Sequence, residues 1–502
     1  MPRRPSDPFA RKPIETLIAE MQGGERLHRV LGPVALTALG VGATIGTGIF
    51  VLTGEAAFNY AGPSLMLSFL LAGLGCGLAA LCYSELASMV PVAGSAYTYA
   101  YATLGELIAW IIGWDLIIEY AIGSAAVAVG WSNYLIEMVQ GLLGIRLDPR
   151  FLASPWDYDI KAGMFVLQRV ALALPDGGTA RVVPWLNLPA SLIVLAITAI
   201  LVIGIKESAR FNATMVILNL GIILTVIAVG AAYIRPGNWT PFFHKEKGLR
   251  GVAEGAGRIF FAYIGFDSIS THAEEAKDPR RDLAIGILGS LLICTVLYVA
   301  VSAVLTGMVP YERIDVRAPF SAVFRDRGMP AISALVTVGI IAGTTSSLLV
   351  GLLSQPRILL AMARDGLLPI GFFGAVHPRF LTPWKSTILV GGCVAVAASL
   401  APLNFLADLV SVGTLFAFII VCASVLILRR KSPDMERPFR TPALPLVAGL
   451  GIVVNGGLML SLGRDNWLRL IVWLALGLAI YYGYGRYHTR LGREPEPAPG
   501  TD

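Results

Sequence analysis

The chain has 502 residues, of which 55% are hydrophobic and 14% charged, and its mean hydropathy is +0.70. This composition excludes a soluble domain built around one core and indicates an integral membrane protein. The formal charge of +6 is spread over tails and short loops rather than gathered into a groove with interleaved aromatics, which excludes nucleic acid as a partner.

Residues 1–30 form a polar tail carrying Arg3, Arg4, Arg11, Lys12, Arg26 and Arg29. It has no apolar core ahead of a small-residue cleavage site, so no cleavable signal peptide is expected. Ile14, Leu17, Ile18 and Met21 share one helical face, which predicts a short helix on the membrane surface. About twelve apolar runs follow, near 31–56, 62–90, 104–139, 189–205, 210–234, 252–272, 283–309, 331–361, 386–403, 405–428, 443–462 and 467–485. Each suits the roughly 20 residues that cross a bilayer. An even number puts both termini on one side. Lys and Arg crowd the first tail and the loops after spans six, eight and ten, so that side is expected to be the cytoplasm. Arg235, Lys245, Lys247, Arg250 and Arg258, after span five, run against this bias on the expected outer side.

Span one is broken by Gly40, Gly42, Gly46 and Gly48, among which lie Thr44 and Thr47. Gly42 and Gly46 form a small-xxx-small pair that lets helices pack closely. The same crowding also predicts an unwound stretch from Thr44 to Gly48. In hydrocarbon such a stretch survives only where it lines a protected cavity. Span six holds a second candidate break at Phe260–Asp267, with Gly265 inside it. Free N–H groups at the first break fit a carboxylate. Carbonyls at the second, with Phe261 and Tyr263 as an aromatic wall, fit an ammonium. The expected substrate contacts are Thr44, Ile45, Gly46, Thr47, Gly48, Phe261, Ala262, Tyr263 and Ile264, with Ser346 on span eight beside the substrate side chain.

In span three Asp115 and Glu119 are four residues apart on one helical face. Intramembrane acids face a cavity, pair with a cation or carry protons; hydration near an interface is the alternative, more so for Asp115 than for Glu119. Lys206, after span four, reads from its position as an interfacial anchor that snorkels to water. The stretch 141–188, with its prolines and glycines, is expected to be a long outer loop without regular structure. The five cysteines sit in apolar spans and the five histidines lack metal-ligand spacing, so neither a disulfide framework, a metal site nor a cofactor is expected. No nucleophile stands with a base, so an enzyme is not expected.

Ile45-Gly46-Thr47-Gly48-Ile49-Phe50, Pro91-Val92-Ala93-Gly94-Ser95-Ala96-Tyr97, Gly204-Ile205-Lys206-Glu207-Ser208-Ala209, Phe261-Ala262-Tyr263-Ile264-Gly265-Phe266-Asp267, and Gln355-Pro356-Arg357 with Ala363-Arg364-Asp365-Gly366-Leu367-Leu368-Pro369 follow one another in order. Together they resemble the cationic amino acid transporter family of the amino acid, polyamine and organocation superfamily. The resemblance implies an all-α polytopic membrane protein. Its fold would be a five-plus-five inverted repeat with discontinuous helices one and six, plus two further helices. Residues 31–234 would be the first repeat, 252–430 the second, 443–487 helices eleven and twelve, and 488–502 a cytoplasmic tail. It implies secondary active transport of cationic or small neutral L-amino acids by alternating access, with proton symport. Lys206 would fill the position of a coupling ion and Glu119 would lie near the substrate. The partners implied are the amino acid, protons and the lipid bilayer, for a monomer or weak oligomer. A sensor or exchanger on the same fold is the alternative. Animal members have two more spans, and the 141–188 loop is longer than in bacterial relatives.

Overall fold

The computed structural model describes residues 7–12, 31–89, 95–159, 163–173, 179–204 and 209–490. The surface helix expected around Ile14 to Met21, the Pro91–Gly94 turn and Lys206 lie outside the described residues. Among those residues, eight helical segments are long and apolar enough to cross a membrane. Three shorter apolar helices, Pro33–Thr44, Leu188–Ile203 and Trp384–Leu400, and the interrupted segment from Gly248 to Glu275 complete the twelve runs in the expected order. Several helices start on proline, as at Pro33, Pro279 and Pro330, where the missing N–H costs nothing. The chain is an all-α polytopic membrane protein.

Both expected breaks are present. Span one runs as Pro33–Thr44, leaves the helix at Ile45 (φ −77°, ψ 99°), and resumes through a π-helical turn at Gly48–Leu52. Span six runs as Gly248–Ile259 and a tight turn at Phe260–Tyr263, opens at Ile264 (ψ 135°) and Gly265 (φ 121°), and continues as Phe266–Glu275. The two breaks touch. A Cβ on Gly48 would lie 2.4 Å from the Ala262 Cα, and one on Gly265 would lie 2.6 Å from the Ala43 carbonyl oxygen. Only glycine permits either approach, and Gly265 also needs its positive φ. The Tyr298 hydroxyl of span seven (Pro279–Met308) lies 3.0 Å from both the Thr44 and the Ala262 carbonyl oxygens, so one donor serves both breaks.

The two tails meet on one face. Lys12 Nζ donates to Asp365 Oδ1 at 2.9 Å and the Tyr97 hydroxyl to Asp365 Oδ2 at 2.6 Å, while the Arg490 N–H donates to the Asp365 carbonyl at 3.0 Å. Near the same face Glu85, 1% exposed, accepts from Arg429 Nη2 at 2.5 Å and from the Thr441 N–H at 2.8 Å. Spans eleven (Leu444–Ser461) and twelve (from Arg464) lie against the rest through Asn455 Nδ2, which donates to the Gly75 carbonyl at 3.2 Å, and through the stacked pair Trp114 and Trp473, 4.7 Å apart.

The opposite face differs from the expectation of an irregular 141–188 loop. It holds two antiparallel ribbons, β1 (Trp156–Asp159) with β2 (Met164–Leu167), and β3 (Val170–Ala173) with β4 (Thr179–Val182). Their Trp, Tyr, Phe and Val residues favour a pleated, half-buried surface that the prolines around them conceal in the sequence. The β1–β2 ribbon is pinned to spans ten and twelve: the Tyr158 hydroxyl donates to Asp465 Oδ2 at 2.8 Å, Phe165 meets Phe405 at 4.9 Å, and the Arg469 guanidinium lies over Tyr158 and Phe405. At the loop's start, hydrogen bonds from Arg150 hold the Asp148 carboxyl below the usual carboxylate range.

Two outcomes follow from this packing. Gly48→Ala forces the touching half-helices apart and is expected to cost about 1–3 kcal/mol, as overpacking does, seen as a lower apparent melting temperature in detergent. Arg429→Ala leaves Glu85 buried with a weakened set of partners and is expected to cost about 3 kcal/mol. An unchanged melting curve for either variant contradicts the packing described.

Candidate substrate site

The breaks bound a cavity of about 150 Å³. Water-sized space needs roughly 10–15 Å³ per molecule measured this way, so the cavity has the scale of one small metabolite. Span one supplies Gly42 to Thr44 and Gly46 to Gly48, span six Phe261, Ile264 and Gly265, and span three (Glu106–Leu142) Glu119, Tyr120, Gly123 and Val127. Span eight (Pro330–Arg364) supplies Ser346, Ser347 and Val350, and Arg357 at the far end, which is exposed.

Of the residues expected to hold substrate, Thr44, Gly46, Thr47, Gly48, Phe261, Ile264 and Ser346 line this cavity, as does Glu119. Ile45, Ala262 and Tyr263 are packed away from it. Ile45 and Tyr263 are fully buried, the Tyr263 hydroxyl donates to the Phe69 carbonyl at 2.8 Å, and the Ala262 backbone is pressed against Gly48. An aromatic wall of Phe261 and Tyr263 therefore reduces to Phe261.

The backbone gives the cavity its polarity. The first half-helix ends on Gly42, Ala43 and Thr44, whose carbonyls lack intrahelical donors, and the second begins at Thr47 and Gly48, whose N–H groups lack intrahelical acceptors. The negative end of one dipole and the positive end of another thus meet in one cavity, and span six repeats the arrangement at Gly265. Ala262 was among the expected acceptors for an ammonium, but its carbonyl, like that of Thr44, already receives the Tyr298 hydroxyl. The carbonyls of Gly42 and Ala43, two residues and one residue before Thr44, stand in the same last turn.

Glu119 is 6% exposed and sits in a π-helical turn, Ile118–Ile122. Its Oε2 accepts from the Thr414 hydroxyl at 3.3 Å, and its Oε1 has no hydrogen-bond partner among the described residues. Asp267 faces it from span six, with Asp115 one turn away on span three. Asp115 is itself 2% exposed, so the interfacial alternative does not hold for it.

The opposite end is shut by an ion pair of which sequence reading noted only Arg258, as an exception to the charge bias. Arg258 of span six bonds Asp408 of span ten (Leu403–Lys431), with their side chains 12% and 3% exposed. The Arg258 guanidinium lies 4.4 Å from the Tyr60 ring centroid, and Asn466 Nδ2 donates to Asp408 Oδ2 at 3.3 Å. Beyond this closure a second cavity of about 320 Å³, lined in part by Glu55, Asn59, Asp157 and Asn404, lies under the loop that carries the two ribbons. Tyr298 and Ser347 were also missed. A lone tyrosine within the apolar run of span seven was the available signal for the first, and Ser346-Ser347 as a pair for the second.

The amino acid permease family model matches residues 31–479. The chain is 46% identical to the branched-chain amino acid permease BcaP of Bacillus subtilis (strain 168), over 97% of this chain and 99% of that protein. It is 44% identical to the methylthioribose transporter of the same organism, over 97% and 99%. To the vacuolar cationic amino acid transporter 4 of Arabidopsis thaliana it is 40% identical, over 84% of this chain and 67% of that protein. With nearly the whole length matched and the broken helices in place, the chain belongs to the amino acid permease family of the amino acid, polyamine and organocation superfamily, a family of transporters rather than enzymes.

Proposed function

We propose that the protein carries small neutral and branched aliphatic L-amino acids across the plasma membrane by alternating access, coupled to protons, with both termini in the cytoplasm. The observation that carries this reading is the cavity where two opposed half-helix ends meet beside a buried carboxyl, Glu119. The α-carboxylate takes the N–H groups at Gly46 to Gly48, and the ammonium takes the carbonyls that end the first half-helix. Phe261, Val127 and Val350 favour an apolar side chain, while Ser346 leaves room for a polar or cationic one.

Alternating access is supported by the asymmetry of the two ends. The cavity reaches the exposed Arg357 on the face that holds both tails, whereas Arg258, Asp408 and Tyr60 shut the other. In this reading residues 31–234 and 252–430 are the two repeats, spans one and six move against the others, and 443–487 is an appendix. Proton coupling rests on Glu119, which shares its surroundings with Asp115, Asp267 and Thr414. The role of Lys206 as stand-in for a coupling ion rests on the resemblance of its motif. A second reading, transport of a neutral thioether sugar, is favoured by the methylthioribose transporter among the relatives and by the hydroxyls of Ser346 and Ser347 in the wall.

In sealed proteoliposomes, uptake of labelled leucine or alanine is expected to rise with an inward proton gradient and to ignore sodium. Glu119→Gln keeps the shape and removes the proton, so it should flatten the dependence on pH more than it slows exchange. A strict sodium requirement overturns the coupling scheme, and an unaltered pH profile removes Glu119 from it. Asp408→Asn strips Arg258 of its buried partner. In a background without the five native cysteines, Asn404→Cys should then react faster with an impermeant thiol reagent. Equal rates remove the ion pair as the outer closure.

A further inference from the structure

Six glycines line the cavity, and five are explained by a close neighbour. A Cβ would lie 2.2 Å from Val216 at Gly42, 3.3 Å from Ser347 at Gly46 and 2.4 Å from Ala262 at Gly48. It would lie 2.6 Å from Ala43 at Gly265 and 2.4 Å from Ser124 at Gly351. At these positions glycine lets two segments touch. Gly123 is different: a Cβ there would meet Val410 Cγ1 at 3.9 Å and the Phe261 ring at 4.0 Å, both ordinary contacts. Its backbone is helical, at the first position of Gly123–Ile136, so no unusual φ requires glycine. In a helix glycine is less favourable than alanine. Neither packing nor conformation explains it.

The space above Gly123 is part of the cavity. Glu119, Gly123 and Val127 recur at four-residue intervals on the one face of span three that borders it, and Gly123 lies between a carboxyl and an apolar side chain. The backbone groups at Gly46 to Gly48 belong to span one, so a substrate held there by its carboxylate and ammonium directs its side chain toward spans three and eight. The wall it meets combines Gly123, Phe261 and Val127.

Resting on the amino-acid reading above, we infer that Gly123 determines specificity: the methyl it lacks is the room that admits a branched aliphatic side chain, with Phe261 and Val410 as the far walls. Alanine at this position fits without displacing a neighbour, so it shortens the compartment and leaves the fold unchanged. One methylene in an apolar pocket is worth roughly 10- to 200-fold in discrimination.

The test is uptake of glycine, alanine, valine and leucine into proteoliposomes by the wild type, Gly123→Ala and Gly123→Ala/Val410→Ala, with melting curves in detergent as a control of folding. For Gly123→Ala the KM for leucine is expected to rise about tenfold or more, that for alanine to stay within about twofold, and the melting curve to be unchanged. The added Val410→Ala returns space to the same compartment and is expected to restore leucine uptake. A uniform change across all four substrates, no change in their ranking, or failure of the double variant to recover leucine overturns the assignment. A wild type that takes up leucine beside an unaffected Gly123→Ala refutes this inference alone. A wild type that takes up none of the four refutes the amino-acid reading, and this inference with it.

Discussion

A polar backbone group without a partner in hydrocarbon costs several kcal/mol, and the centre of this protein is arranged around that cost. Spans one and six each give up their helical hydrogen bonds for a few residues. The exposed groups are then covered by each other's backbones, by one tyrosine hydroxyl and by a cavity. Tyr298 places a single O–H within reach of both broken strands, and Gly48 and Gly265 bring the strands into contact. What remains uncovered faces inward, with carbonyls from one half-helix and N–H groups from the next. The uncovered groups thus present both donors and acceptors to one cavity.

The charged residues obey the same economy. Asp408 and Glu85 are buried and paired, with Arg258 and Arg429, while Glu119 borders the cavity. Two of the basic residues after span five find carboxylates: Lys245 meets Glu312 and Lys247 meets Glu254.

Much of the site was legible because glycine clusters in a membrane helix have few explanations. Gly46, Gly48 and Phe261 were found from type and spacing, and Glu119 from the rarity of an acid in an apolar run. Tyr263 and Ala262 were misplaced because adjacent residues on a broken helix turn to different sides, and the turn angle at Phe260–Tyr263 is a property of the packed backbone. The two ribbons were missed for a related reason. Four-residue strands among prolines and glycines have too short a period to stand out, and they are held in part by Tyr158, Phe165 and Arg469 meeting spans ten and twelve.

By itself the sequence determined that this chain crosses a membrane about twelve times, that its first and sixth spans are interrupted, and that an acid lies within the third. These are consequences of hydropathy, glycine and charge, each of which acts over a few neighbouring residues. Tertiary structure alone decided that Tyr298 joins the two breaks, that Arg258 and Asp408 pair at one end, and that Gly123 has room for a methyl while the other lining glycines are crowded by neighbours. Those facts join residues far apart in the chain, 254 positions in the case of Thr44 and Tyr298. They depend on the distances between packed helices, and no local pattern in the chain encodes a distance.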